Sequence, residues 1–147
     1  MEKTRKRRWI TIWVLLAVML AGCLLIFHNY IFGNDVMVYG GVGSDTKQQY
    51  IMWYNGIVNR LRSGDLAAWD FHNGMGISQL ENNLTAPFNL LIYLLGTLFG
   101  PEHIAGAMVY VQMLKVLLCG LFAYLFLSEY SLREDAKLIA SFLYAFN

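Results

Sequence analysis

Five bases crowded into the first eight residues stand directly before a long stretch with no charge, and that adjacency limits this chain more than any other feature. Lys3, Arg5, Lys6, Arg7 and Arg8 precede Trp9–Asn34, 26 residues without Asp, Glu, Lys or Arg. As a helix this stretch measures about 39 Å, enough to cross the ~30 Å of hydrocarbon in a bilayer. Trp9 and Trp13 fall where an interfacial aromatic belt belongs, with Tyr30 near the other end. A basic segment attached to a span holds its own end in the cytoplasm. Taken alone, the same bases resemble a nucleic-acid-binding tail. Attachment to a span-length run makes membrane orientation the reading, and no nucleic-acid partner is expected.

Composition agrees. The chain has 147 residues, of which 57% are hydrophobic and only 14% charged, against about 25% charged in a soluble domain. Leu20-Ala21-Gly22-Cys23 resembles a lipoprotein cleavage site, which would leave Cys23 as a lipidated N-terminus. The apolar run continues past it through Leu24, Leu25, Ile26 and Phe27, however, and a signal peptide's apolar core stops after about 7–15 residues. A retained span is the better reading. Cys23 and Cys119 both lie in apolar runs, with no spacing that marks a disulfide framework or a zinc site.

The expected fold class is an all-α integral membrane protein, with two spans, the start of a third, and a polar external loop. Residues 1–8 form the cytoplasmic head, 9–33 the first span and 34–103 the loop. Residues 104–127 form the second span, 128–137 a cytoplasmic turn, and 138–147 the opening of a third span. The loop, from Gly33 to His103, carries six acids against three bases, a net charge of −3. Within it, Tyr50, Trp53, Tyr54, Ile57, Val58 and Leu61 fall on one helical face, which predicts an amphipathic helix over 45–63. Ser44 or Asp45 can cap it, Asp45 with Gln48 resembles a capping box, and Ser63-Gly64 ends it. That apolar face has two possible destinations, the membrane surface or neighbouring spans. The glycine- and Asx-rich stretch 64–76 reads as a structured loop. Pro87–Phe99 is apolar but only 13 residues long, about 20 Å as a helix, so an interfacial or re-entrant helix is expected there. The ten residues from Leu138 are too few to complete a span, as expected of a piece of a longer protein.

Three places stand out for chemistry. Asp45, about ten residues beyond the first span, is a candidate general base for an acceptor hydroxyl attacking a lipid-linked donor. Its bland alternative is the N-cap, and one carboxylate can serve in both roles. Asp70, with His72 and Asn73, is a candidate metal- or sugar-binding turn, although a turn satisfying its own backbone explains the residues as well. Lys115 is the single charge in Ile104–Leu127 and stands near the middle of that run. A lysine at that depth costs about 2.5–3.5 kcal/mol and faces a bundle interior. Gln112, one turn earlier, lies on nearly the same face. The pair can meet either a phosphate or a buried carboxylate. No phosphate-binding glycine loop, serine elbow or zinc motif occurs, and Gly40-Gly41-Val42-Gly43 lacks the Lys-Ser/Thr ending of a P-loop.

The order of motifs is informative as a set. The first span is followed by Ser44-Asp45-Thr46-x-Gln48-Gln49-Tyr50, Ser63-Gly64-Asp65-Leu66 and Trp69-x-Phe71-x-x-Gly74-x-Gly76. Pro87-Phe88-Asn89-Leu90-Leu91 and a span containing Leu114-Lys115 come next. This series resembles the N-terminal portion of the YfhO family of bacterial membrane proteins, which is similar to glycosyltransferases of the GT-C architecture. The resemblance implies a multi-pass protein of the bacterial plasma membrane, its first loop outside. It implies transfer of a sugar from a polyprenyl-phosphate carrier to a surface polymer such as teichoic acid, with no cofactor or metal clearly required. Asp45 matches the essential acid of the first external loop and would activate the acceptor hydroxyl. Lys115 matches a family lysine and would approach the donor phosphate. Gln48, Gln49, Trp69 and Asp70 are the accompanying candidates for substrate binding. A small non-catalytic membrane protein that scaffolds or helps move a lipid-linked precursor is the alternative.

Overall fold

A computed structural model describes residues 2–37, 45–65, 69–71, 74–78 and 86–147. The chain divides into two compact units, one of residues 1–34 and 112–147, the other of residues 35–111. Among the described residues two helices are long and apolar enough to cross a membrane, Arg8–Ile26 and Pro101–Leu127.

The first unit is built from α1 (Glu2–Ile26), α2 (His28–Phe32), the larger part of α5 (Ile104–Leu127) and α6 (Glu134–Ala145). Helix α1 begins inside the basic head, and the expected span over 9–33 is interrupted at Phe27, where α2 starts. Val14, Leu15 and Val18 of α1 line a groove with Leu138, Ile139, Phe142 and Leu143 of α6. One turn further along both helices, Phe146 lies against Gly22. Thus α1 and α6 run parallel. Gly120 of α5 is where three helices close in, because a Cβ there would run into Met19 of α1 and lie 3.2 Å from Ala145. Ile12, Leu15, Met19 and Tyr124 form the buried centre.

The turn before α6 is shorter than the charge pattern implies. The charge pattern predicts a cytoplasmic turn over 128–137, but α6 starts at Glu134 and Lys137 is only 7% exposed. Lys137 Nζ donates to Glu134 Oε1 at 2.8 Å, and the Tyr124 hydroxyl donates to Glu134 Oε2 at 3.1 Å. A lysine enters the interior here because one carboxylate neutralises it and also accepts from the buried tyrosine. Glu134 and Asp135 also occupy the first helical turn, where acids favour the helix dipole.

The second unit holds α3 (Ile51–Ser63), α4 (Pro87–Phe99) and the first two turns of α5. The amphipathic helix expected over 45–63 differs at its start, where Thr46–Tyr50 is a π-helical turn leading into α3. Gly64 ends α3 with φ +77°, a left-handed value that favours glycine. Its N–H meets the Arg60 and Leu61 carbonyls, and Arg60 pairs with Asp65 at 3.0 Å. Pro87 opens α4 at a position where its missing N–H costs nothing, and Gly100-Pro101 closes it. The apolar face of α3 is taken up by α4. Tyr54, Ile57, Val58, Ile92, Tyr93, Ile104 and Val111 form one core. A Cβ on Gly96 would lie 2.7 Å from Val58 and 2.9 Å from Ile104, so glycine is what lets α4 approach both neighbours. The all-α expectation needs one amendment: Trp69–Asp70 (β1) pairs antiparallel with Ile77–Ser78 (β2) in a two-stranded ribbon.

Tyr54 and Tyr93 add a measurable property to this core. Their rings meet edge to face with centroids 5.7 Å apart, and the Tyr54 hydroxyl donates to Asn89 Oδ1 at 3.3 Å. Burial pushes both hydroxyls above the ordinary tyrosine range; Tyr50 adds to the effect on Tyr54, and Tyr54 to that on Tyr93. Folded chains therefore keep these protons to higher pH than unfolded ones. Their contribution to stability is complete below about pH 10, the unfolded tyrosine value, and is lost as pH rises beyond it. Melting temperature measured against pH should fall above that point, and Tyr93→Phe should flatten the fall. An unchanged alkaline slope in Tyr93→Phe would refute the assignment.

Candidate functional site

The loop acids and amides sit where α3 begins. Asp45 is exposed and already helical, so it stands inside the first turn rather than before it, as an N-cap would. The π turn Thr46–Tyr50 follows at once, in place of the α turn that a capping box needs. Ser44, the other cap candidate, lies outside the described residues. Local widening of this kind is frequent at functional sites. Gln49 is exposed beside Asp45 in the same turn, while Gln48 contributes its backbone to that turn.

An aromatic ledge adjoins this turn. Tyr50, 42% exposed, meets Trp53 edge to face at 5.8 Å and stacks on Tyr54 at 6.4 Å with 24° between the planes. Tyr54 in turn is anchored by Tyr93 and Asn89 of α4. A partly exposed ring held from behind by two buried ones is a rigid apolar plate, and an acid and an amide stand within about a turn of it along the chain. Tyr50 and Trp53 were legible in the sequence only as part of an apolar face. Their role as an exposed edge depends on where α4 stops covering α3.

Trp69 and Asp70 are carried by β1, paired with Ser78 and Ile77 respectively. Trp69 is 48% exposed, contacts Phe71 at 6.4 Å and lies across Gly76, where a Cβ would collide with its indole. Asp70 is half-buried. His72 and Asn73, the remainder of that candidate turn, lie outside the described residues, as does Asn83-Leu84-Thr85, a chance-level match to a glycosylation sequon. Among the described residues no group of three His, Cys, Asp or Glu side chains converges as a metal site.

Lys115 belongs to the other unit, where its side chain is half-buried. It stands near the middle of Pro101–Leu127, the apolar helix that carries it, between one and two turns from Gly120, which faces Met19 of α1.

Compared with protein families, residues 13–147 match the model described as "Bacterial membrane protein YfhO". No curated protein and no solved structure matches the chain.

Proposed function

Since the chain belongs to the YfhO family of bacterial membrane proteins, we propose that it forms the N-terminal part of a membrane glycosyltransferase. In this reading a sugar leaves a polyprenyl-phosphate carrier for a hydroxyl of a surface polymer such as teichoic acid. The observation that carries it is the family match together with an exposed carboxylate, Asp45, at a widened helical turn beside an aromatic ledge.

The chemistry assigns each group a task. The acceptor oxygen attacks the anomeric carbon, the bond from that carbon to the carrier phosphate breaks, and polyprenyl phosphate departs with the bonding pair. Asp45 accepts the proton of the attacking hydroxyl, a role that needs a carboxylate within hydrogen-bond reach. Tyr50 and Trp53 offer an apolar plate suited to the C–H face of a sugar ring. Gln48, Gln49, Trp69 and Asp70 supply donors and acceptors for its hydroxyls. Lys115 offers a cation to the carrier phosphate as negative charge accumulates on it. The basic head puts the N-terminus in the cytoplasm and the 34–103 loop on the outer side.

The direct test uses membranes from cells that express the gene and from cells that lack it. Both receive a polyprenyl-phosphate sugar with a radiolabel in the sugar, and label in the polymer fraction is counted. Transfer that requires the gene is the expected outcome. Equal labelling in both membranes would favour the non-catalytic reading, in which the protein scaffolds or moves the precursor.

A further inference from the structure

We propose that α4 is an in-plane membrane anchor: its stripe of Leu90, Leu94, Leu98 and Phe99 lies among the acyl chains at the bilayer interface, carrying α3 on its back. The inference is independent of any catalytic reading, since it rests only on how the faces of two helices are used.

Each helix has one face committed to the other. On α4, Ile92, Tyr93 and Gly96 are buried against α3 and the start of α5. The opposite stripe is uncovered, with Leu90 48%, Leu94 54%, Leu98 66% and Phe99 64% exposed. Residues 86–101 contain no charge. On α3 the arrangement is reversed. Tyr54, Ile57 and Val58 are buried, while Lys47 in the preceding turn, then Asn59 and Arg62, face outward. The pair is thus amphipathic as a unit, with leucines on one outer side and charged or amide groups on the other. Four exposed apolar residues at helical spacing form a contiguous patch that water does not tolerate well.

Two observations identify lipid as the occupant. First, α4 leads after only four residues, Gly100–His103, into α5, one of the two helices able to cross a membrane. The stripe is therefore continuous along the chain with an element long and apolar enough to cross the bilayer. Second, the charges on α3 stand at both of its ends: Asp45 and Lys47 before it, Arg62 and Asp65 at its close. Helices α3 and α4 are in contact along their length, from Tyr54 against Asn89 and Tyr93 to Val58 against Gly96. If α4 plunged into the hydrocarbon, one charged end of α3 would have to follow. Burying an exposed arginine or lysine there is unfavourable, so the pair lies flat. An in-plane helix of this type sinks its apolar face about 5–10 Å into the headgroup and acyl boundary. The buried part of the apolar face of α3, Tyr54, Ile57 and Val58, is already occupied by α4 and the start of α5.

Site-directed spin labelling of the protein in phosphatidylcholine–phosphatidylglycerol vesicles tests this. Cys23→Ala and Cys119→Ala provide a background, and a nitroxide is attached in turn at Leu90→Cys, Leu94→Cys, Leu98→Cys and Asn59→Cys. All four positions are exposed, so the label does not disturb the core. Collision with oxygen, which partitions into lipid, should exceed collision with an aqueous nickel chelate several-fold at 90, 94 and 98, at similar depths. Asn59 should show the reverse. Nickel dominating at 94 and 98 would overturn the proposal. So would shielding from both reagents, which marks a covering protein surface, or a steady deepening from one end of α4 to the other, which marks a re-entrant helix.

Discussion

Asparagine in place of Asp45 is expected to reduce sugar transfer by about 10²–10⁴-fold, the usual contribution of a positioned general base, while leaving the protein's amount and insertion unchanged. Asparagine keeps the size and polarity of the side chain but cannot take a proton from the acceptor hydroxyl. Asp45 is exposed and precedes the part of α3 that meets the core, which begins at Ile51. Its replacement should thus change stability by no more than about 0.5 kcal/mol, as for most surface positions. Asp45→Glu retains the carboxylate on a longer stem and should recover part of the rate. Transfer assays on equal amounts of inserted protein make the comparison. Near-normal transfer by Asp45→Asn would remove the residue from the mechanism without touching the family assignment.

The second large effect is on stability. Glu134→Ala should lower the melting temperature of the detergent-solubilised protein sharply, by removing the carboxylate that accepts from two interior groups at once. Lys137, 7% exposed, and Tyr124, 1% exposed, both donate to that carboxylate. Breaking a fully buried pair costs about 3–5 kcal/mol. The Glu134 side chain is 52% exposed, so solvent screens the pair and about 2–3 kcal/mol is the better expectation. Most of that cost is the lysine left without its counter-charge. Lys137→Met combined with Glu134→Ala should therefore restore much of the loss, the strong coupling that a double-mutant cycle reads. If the two substitutions simply add, the carboxylate is not what admits Lys137 to the interior.

That cluster also marks how far sequence reading reaches. Glu134 and Lys137 are three residues apart, a spacing visible in the sequence, but the charges after Ile104–Leu127 read as a cytoplasmic turn, because charge usually marks the end of an apolar span. Tyr124, ten residues upstream of Glu134, gave no signal that its hydroxyl would join them. The amphipathic helix was legible from its periodicity, whereas the π turn at Thr46–Tyr50 was not, because an extra residue in a turn leaves no compositional trace.

Local sequence is enough to mark the two apolar helices of spanning length, the amphipathic helix between them and the stop signals at Gly64 and Gly100. These follow from local physics: the cost of placing charge in hydrocarbon, the period of apolar residues, and the backbone freedom of glycine all act within a few residues. Which surface each apolar face meets is set by long-range packing. Val58, Gly96 and Ile104 come together from three separate segments, as do Met19, Gly120 and Ala145. Contacts of that kind depend on the size and placement of side chains distant in sequence, and they are what give α3 to α4, leave the leucine stripe uncovered and draw Lys137 inside.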